Sequence, residues 1–261
     1  MNVLKQKLQQ RVSLAGTHVT MNDPCISELI GHLGFDFIWI DTEHTATDLQ
    51  TLQMHLIAAK AAGVRSVVRV PHLDPSVTKR VLEMGPDGIV FPMVNTPEEA
   101  DYLMKLCLFP PLGERGFGPL RALRYGLDDV NDYVNVASRE LCRFIQIESE
   151  TAVRNLPKLV QNPHIDGFIF GPNDLSGSIG ELGNVYGERT SRLIDEGIAI
   201  LQAAGKPFGV STSSTDRDVL QYWSDKGMGI ISAGVDHAHI LQGARNVLQS
   251  LRDIQQSSAV K

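Results

Sequence analysis

The chain has 261 residues, 43% of them hydrophobic and 21% charged, with a formal net charge of −6. That length suits one α/β barrel and allows a core that removes about 75% of the unfolded chain's surface from water. The acidic balance excludes broad affinity for nucleic acid or anionic membranes, and no run reaches the roughly 18 apolar residues of a membrane span.

The polar start, Met1 to Arg11, lacks the apolar stretch of a signal peptide. Apolar runs then alternate with segments of helical period. Strands are expected at Val12–Thr17, Phe37–Asp41, Ser66–Val70, Gly88–Val94, Phe144–Glu148, Gly167–Phe170, Pro207–Val210 and Gly229–Ala233. Helices are expected at Asp48–Ala62, Pro75–Met84, Pro97–Leu108, Asp128–Ala137, Glu150–Gln161, Glu188–Ala204, Asp216–Lys226 and Ala238–Ile254. Asp48 and Asp74 read as N-caps, and Gly63, Gly85 and Gly205 as helix stops. Eight alternations with no linker between them predict one domain over residues 1–261, a parallel (β/α)8 TIM barrel. An open doubly wound sheet is the alternative, weakened because no glycine-rich phosphate loop follows the first strand.

Barrel chemistry sits where strands end and βα loops begin. The second strand ends in Asp41-Thr42-Glu43-His44, the third carries Arg69, and the fifth carries Gln146 and runs into Glu148. The sixth is followed by Gly171-Pro172-Asn173-Asp174. Glu148 and Asp174 emerge at the same end of the sheet, and two hard carboxylates without His or Cys beside them suit a partly hydrated divalent cation. An arginine inside a buried strand is costly unless paired. Arg69 is therefore read either as a structural ion pair or as a guanidinium that stabilises a carboxylate or a developing enolate. His44 is a candidate acid/base, because histidine is the residue type whose charge changes near neutral pH. The lysines at 60, 79, 105, 158 and 226 fall on helices or their ends, and Lys206 precedes its strand, so no Schiff-base lysine is expected in the pocket. The long segment around Pro110–Gly116 is read as a functional loop or a subunit contact. Asp236-His237-Ala238-His239 is read as an N-cap with exposed imidazoles rather than a metal pair. Cys25, Cys107 and Cys142 form no Cys-x-x-Cys pair and are read as core residues of a reducing, cytoplasmic compartment.

Six of these segments, in this order, carry a resemblance. They are Gly34 through His44, Val67-Val68-Arg69-Val70-Pro71, Phe91-Pro92-Met93-Val94, Pro110 through Gly116, Gln146-Ile147-Glu148, and Asp166-Gly167 through Ser176. From about Val12 to Asp236 the chain resembles the HpcH/HpaI family of class II, metal-dependent aldolases. The resemblance implies a carbon–carbon lyase that cleaves or forms 4-hydroxy-2-keto acids from pyruvate and an aldehyde through an enolate. It implies Mg²⁺, Mn²⁺ or Co²⁺ held by Glu148 and Asp174. It also implies a homo-hexamer, a dimer of trimers, whose C-terminal helix packs on a neighbouring subunit. By matching position, His44 and Arg69 are catalytic, and Gln146, Asn173 through its backbone, and Asp174 contact substrate, with Gly171 and Pro172 beside them; Asp41 is assigned to hydrogen-bond the cation's waters. Glu83 falls where an acid orients the histidine of a neighbouring subunit. Glu83 is a glutamate where aspartate is usual, and Gly209–Asp216 is more polar than the corresponding stretch, which bears on the aldehyde. A Claisen-type synthase acting on oxaloacetate and an acyl-CoA, and a non-catalytic keto-acid or metal-binding barrel, are the alternatives.

Overall fold

The order of elements in the computed structural model, which describes residues 2–259, is α1 (Val3–Gln9), β1 (Leu14–Val19), α2 (Cys25–Gly31), β2 (Phe37–Asp41), α3 (Leu49–Ala62), β3 (Arg65–Arg69), α4 (Pro75–Met84), β4 (Gly88–Phe91) and α5 (Pro97–Cys107). It continues with α6 (Val130–Asn135), β5 (Cys142–Ile147), α7 (Glu150–Leu159), β6 (Gly167–Phe170), α8 (Pro172–Ser178), α9 (Glu188–Ala203), β7 (Phe208–Thr212), α10 (Arg217–Asp225), β8 (Ile230–Val235) and α11 (Asp236–Ala259). The strands pair in parallel from β1 through β8, and β8 pairs with β1, so the sheet closes as a (β/α)8 barrel.

The period of two along each strand separates two cores. Outward residues such as Ile38, Ile40, Val68, Ile89, Ile145, Phe168 and Val210 pack under the helices. Inward residues Leu14, Phe37, Trp39, Val67, Val90, Phe144, Ile169 and Ile230 fill the barrel together with Leu4 and Leu8 of α1. Helix α1 therefore plugs the floor, and Asn2 fastens it there by donating to the carbonyls of Asp87 (2.7 Å) and Glu140 (3.0 Å). Gly16 lacks a side chain because a Cβ there would collide with the Phe37 ring inside the barrel.

Asp48 and Asp74 cap α3 and α4 by accepting from Thr51 N and Val77 N, and Gly63 and Gly85 end those helices in left-handed conformations. The first strand lies two residues later than Val12–Thr17, because the ladder from β8 begins with Leu14 N donating to Gly229 O at 2.8 Å. Helices α1, α2 and α8 have seven residues each, too few to display a helical period in the sequence. The expectation of three core cysteines holds for Cys107 and Cys142 and is corrected for Cys25, which is exposed at the start of α2.

Candidate active site

The inward columns that fill the barrel turn polar at its upper rim. Phe37–Trp39 leads to Asp41, Val67 to Arg69, and Cys142–Phe144 to Gln146 and Glu148, so alternation alone aims these side chains into one space. They line a cavity of about 280 Å³, joined by His44 from the loop after β2 and by Gly171, Pro172, Asn173 and Asp174 from the start of α8. Nine of the ten expected site residues meet there. No lysine lines the cavity, as expected. A second cavity of about 370 Å³ lies at the floor beside Leu8, Arg11 and Lys206 and has no carboxylate in its wall.

Glu148 is almost fully buried. Its Oε2 accepts from Met93 N at 2.9 Å, and its Oε1 accepts from Gln146 Nε2 at 2.6 Å. Met93 has a left-handed backbone (φ 52), a conformation of order 1–3 kcal/mol above the usual ones, and this points its N–H at the carboxylate. Gly171 makes room for that carboxylate, since a Cβ there would collide with Glu148 Oε1. Burial pushes the Glu148 carboxyl up to about 7, and the negative charge of Asp174 pushes the same way. Asp174 itself is exposed at the rim.

The site is therefore a buried carboxylate held ready by two donors, with a second carboxylate close enough to repel it and an orphaned buried acceptor, Gln146 Oε1, alongside. That arrangement suits a cation. No group of three or more His, Cys, Asp or Glu side chains that could hold a metal exists among the described residues. Two carboxylates with the remaining positions left to water or substrate oxygens fit a hard, partly hydrated divalent ion and not a closed zinc cage.

Arg69 is gripped rather than free. Its Nε and Nη2 donate to the two oxygens of Asp41 at 2.9 and 2.7 Å, and Nη1 lies 3.2 Å from Glu43 Oε2. Burial opposes the charged form of Asp41, but these hydrogen bonds and the guanidinium charge outweigh it and hold the carboxyl below its usual range. Asp41 thus orients Arg69, and its Oδ2, which accepts only from Arg69, keeps a lone pair beside the cavity for the expected hydrogen bond to a cation-bound water. Glu43 was not singled out as a site residue. Burial raises its carboxyl despite Arg69, and Oε2 lies 3.6 Å from His44 Nε2. The His44 side chain is 66% exposed, open to whatever enters the mouth.

Glu83 does not join the cavity. On α4 it pairs with Arg115 Nη2 at 3.3 Å, and its Oε2 is buried without a hydrogen-bond partner. Arg115 also stacks on Phe109, 4.5 Å from the ring centroid, and donates to Tyr133 Oη at 2.9 Å. This anchors the Pro110–Gly116 segment well away from the cavity lining. Asp236 is the first residue of α11 and accepts from Thr20 N, Met21 N and its neighbour His237 N, so it ties the loop after β1 to the helix start instead of making the expected N-cap bond; His237 and His239 are exposed, as expected. Sequence reasoning missed His18, Thr20 and His237, which line the cavity from β1, its following loop and the start of α11, whereas Ser211 and Ser213 lie in the Gly209–Asp216 stretch already tied to the aldehyde. The signal for His18 was the inward column Leu14–Gly16–His18, hidden by ending the first strand at Thr17.

The model of the HpcH/HpaI aldolase/citrate lyase family matches residues 14–243. The hydroxypyruvate/pyruvate aldolase of Roseobacter denitrificans is 30% identical over 247 residues, covering 95% of this chain and 96% of its own. The 4-hydroxy-2-oxovalerate aldolase of Novosphingobium aromaticivorans is 33% identical, covering 97% and 95%. The crystal structure of an HpcH/HpaI aldolase/citrate lyase family protein from Burkholderia cenocepacia J2315 superposes with a TM-score of 0.91 at 29% identity, covering 97% of this chain and all of the other.

Proposed function

The chain belongs to the HpcH/HpaI aldolase/citrate lyase family, and on that premise we propose how its residues divide the work of a class II pyruvate aldolase. The enzyme is a carbon–carbon lyase acting on 4-hydroxy-2-keto acids. The aldolase names of its relatives favour this over Claisen condensation. The observation that carries the assignment of roles is the convergence of Glu148, Asp174, Arg69 and His44 on one cavity without a lysine.

In the cleavage direction the C3–C4 bond breaks. The 4-hydroxyl loses its proton as the aldehyde forms, and the bonding pair moves onto the 2-keto oxygen to give the enolate of pyruvate. Glu148 and Asp174 would hold Mg²⁺, Mn²⁺ or Co²⁺, which supplies the Lewis acidity that polarises that oxygen. Arg69, kept charged and oriented by Asp41 and Glu43, donates a charge-assisted hydrogen bond to the same oxygen. His44 takes the 4-hydroxyl proton, and Glu43 at 3.6 Å stabilises the imidazolium that results. Gln146 and the Gly171–Asp174 turn contact the keto acid. Protonation of the enolate at C3 releases pyruvate.

The site acts within a homo-hexamer whose C-terminal helix packs on a neighbouring subunit. The exposed apolar residues Ile240, Leu241, Val247, Leu248, Leu251 and Ile254 of α11 support that assembly. Glu83 would meet the partner's active-site histidine there. The buried free thiols Cys107 and Cys142 support a cytoplasmic location. No helix among the described residues is long and apolar enough to cross a membrane.

Deuterium exchange into the pyruvate methyl group, followed by NMR with each cation and with chelator, tests the enolate step. Exchange that needs the cation is expected. Exchange that survives the chelator, or none with any of the three ions, would refute the mechanism.

A further inference from the structure

One wall of the cavity takes no part in those roles. It comes from β7 and β1, which flank β8 on the side of the barrel opposite β3 and β5. His18, buried at the top of its column, brings Nε2 to 2.9 Å from Ser211 Oγ. Its other ring nitrogen, Nδ1, lies 2.8 Å from the Gly234 carbonyl. A carbonyl oxygen only accepts, so Nδ1 carries the proton and Nε2 is a lone-pair acceptor for the Ser211 hydroxyl.

The contact is built into the backbone. The register between β1 and β8 shifts between Gly16 and His18, and Gly234 adopts a left-handed conformation (φ 69) that turns its carbonyl to the ring. A Cβ on Gly234 would strike the His239 imidazole, so glycine is required there twice over. Burial holds the His18 ring down to about 4, which keeps it neutral in ordinary buffers.

The single lone pair of Nε2 is taken by the Ser211 hydroxyl, so between them the two residues present one free acceptor, the Ser211 oxygen, and no positive charge. A ligand hydroxyl satisfies it by donating. A carboxylate would set its own lone pairs against those of the Ser211 oxygen, whose proton is held by His18. A methyl group leaves the His18–Ser211 bond intact but makes no bond of its own.

We propose that His18 and Ser211 select the aldehyde, favouring a short hydroxyaldehyde over its deoxy or carboxylate counterpart. This rests on the aldolase reading, which gives the Glu148, Asp174 and Arg69 side to pyruvate and leaves the β7–β1 side to the aldehyde. The discrimination is moderate, about tenfold, because the wall keeps its own internal hydrogen bond when the hydroxyl is missing.

The test is kcat/KM for the Mn²⁺-loaded enzyme with pyruvate and, in turn, glycolaldehyde, acetaldehyde and glyoxylate, with products identified by mass. Glycolaldehyde should lead both others by about tenfold. His18→Phe and Ser211→Ala should bring the glycolaldehyde-to-acetaldehyde ratio close to one, mainly through KM for glycolaldehyde. Ser211 is only half-buried, so its variant gives the answer even where His18→Phe does not fold. A ratio near one in the unaltered enzyme, or a ratio that Ser211→Ala leaves unchanged, overturns the proposal. Pyruvate exchange by the unaltered enzyme needs no aldehyde. Exchange with a flat ratio refutes the wall alone, and absence of exchange refutes the aldolase mechanism beneath it.

Discussion

Replacing Glu148 with glutamine should separate the stability of the site from its chemistry. Without a cation, burial and Asp174 raise the carboxyl from 4.5 to about 7. A group that binds its proton more tightly when folded contributes most stability below about pH 4.5 and loses it as pH rises through 7. The ionised carboxylate therefore costs the cation-free fold up to roughly 3 kcal/mol at pH 8. Glutamine keeps both contacts. Its oxygen accepts from Met93 N, and its amide donates to Gln146 Oε1 once the Gln146 amide turns over. In chelator at pH 8, Glu148→Gln should unfold in urea with about 1–3 kcal/mol more stability than the unaltered protein, and the gain should shrink at pH 5. Adding Mn²⁺ should raise the melting temperature of the unaltered protein and not of the variant, which should also lose pyruvate exchange. A variant less stable than the parent in chelator, or one that keeps the full cation-induced rise, would refute the reasoning.

Arg69→Lys should lose roughly 100-fold or more in kcat/KM, because a point charge cannot reproduce the two-pronged grip on Asp41 together with the contact to Glu43. Arg69→Ala should in addition destabilise by about 3–5 kcal/mol in urea, since Asp41 is then buried without its partner. Gly171→Ala should fold but bind Mn²⁺ at least about tenfold more weakly by calorimetry, because the new Cβ displaces Glu148 Oε1. His18 is held neutral by burial, so the unfolded chain binds its proton more readily. The stability this provides should fall by up to about 3 kcal/mol as pH drops from 6.5 to 4, and urea midpoints of His18→Phe should show a shallower acid slope.

The parts legible in the sequence were those with a local signature. Phe37–Asp41 and Gly167–Phe170 match their strands end to end because apolar runs bounded by polar turns leave no choice of boundary. The acids after β5 and β6, and Arg69 inside an apolar run, were visible because charge is costly in such places. What stayed hidden depended on register or on distant partners. The grip of Asp41 on Arg69 joins residues 28 apart in sequence but adjacent across β2 and β3. Met93 gives no sign in sequence of its left-handed backbone. His18 depended on a strand boundary two residues long, and its partners Ser211 and Gly234 lie nearly 200 or more positions away.

The floor plug has a consequence for how the chain is made. Leu4 and Leu8 are made before every strand they pack against, and Asn2 finds its partner Glu140 only 138 positions later. At about 5–20 residues per second the nascent amphipathic segment waits roughly 7–28 s without its berth. Until then the apolar side of α1, Leu4 and Leu8, has nothing to pack against. The plug closes the end of the barrel opposite the mouth through which substrate enters.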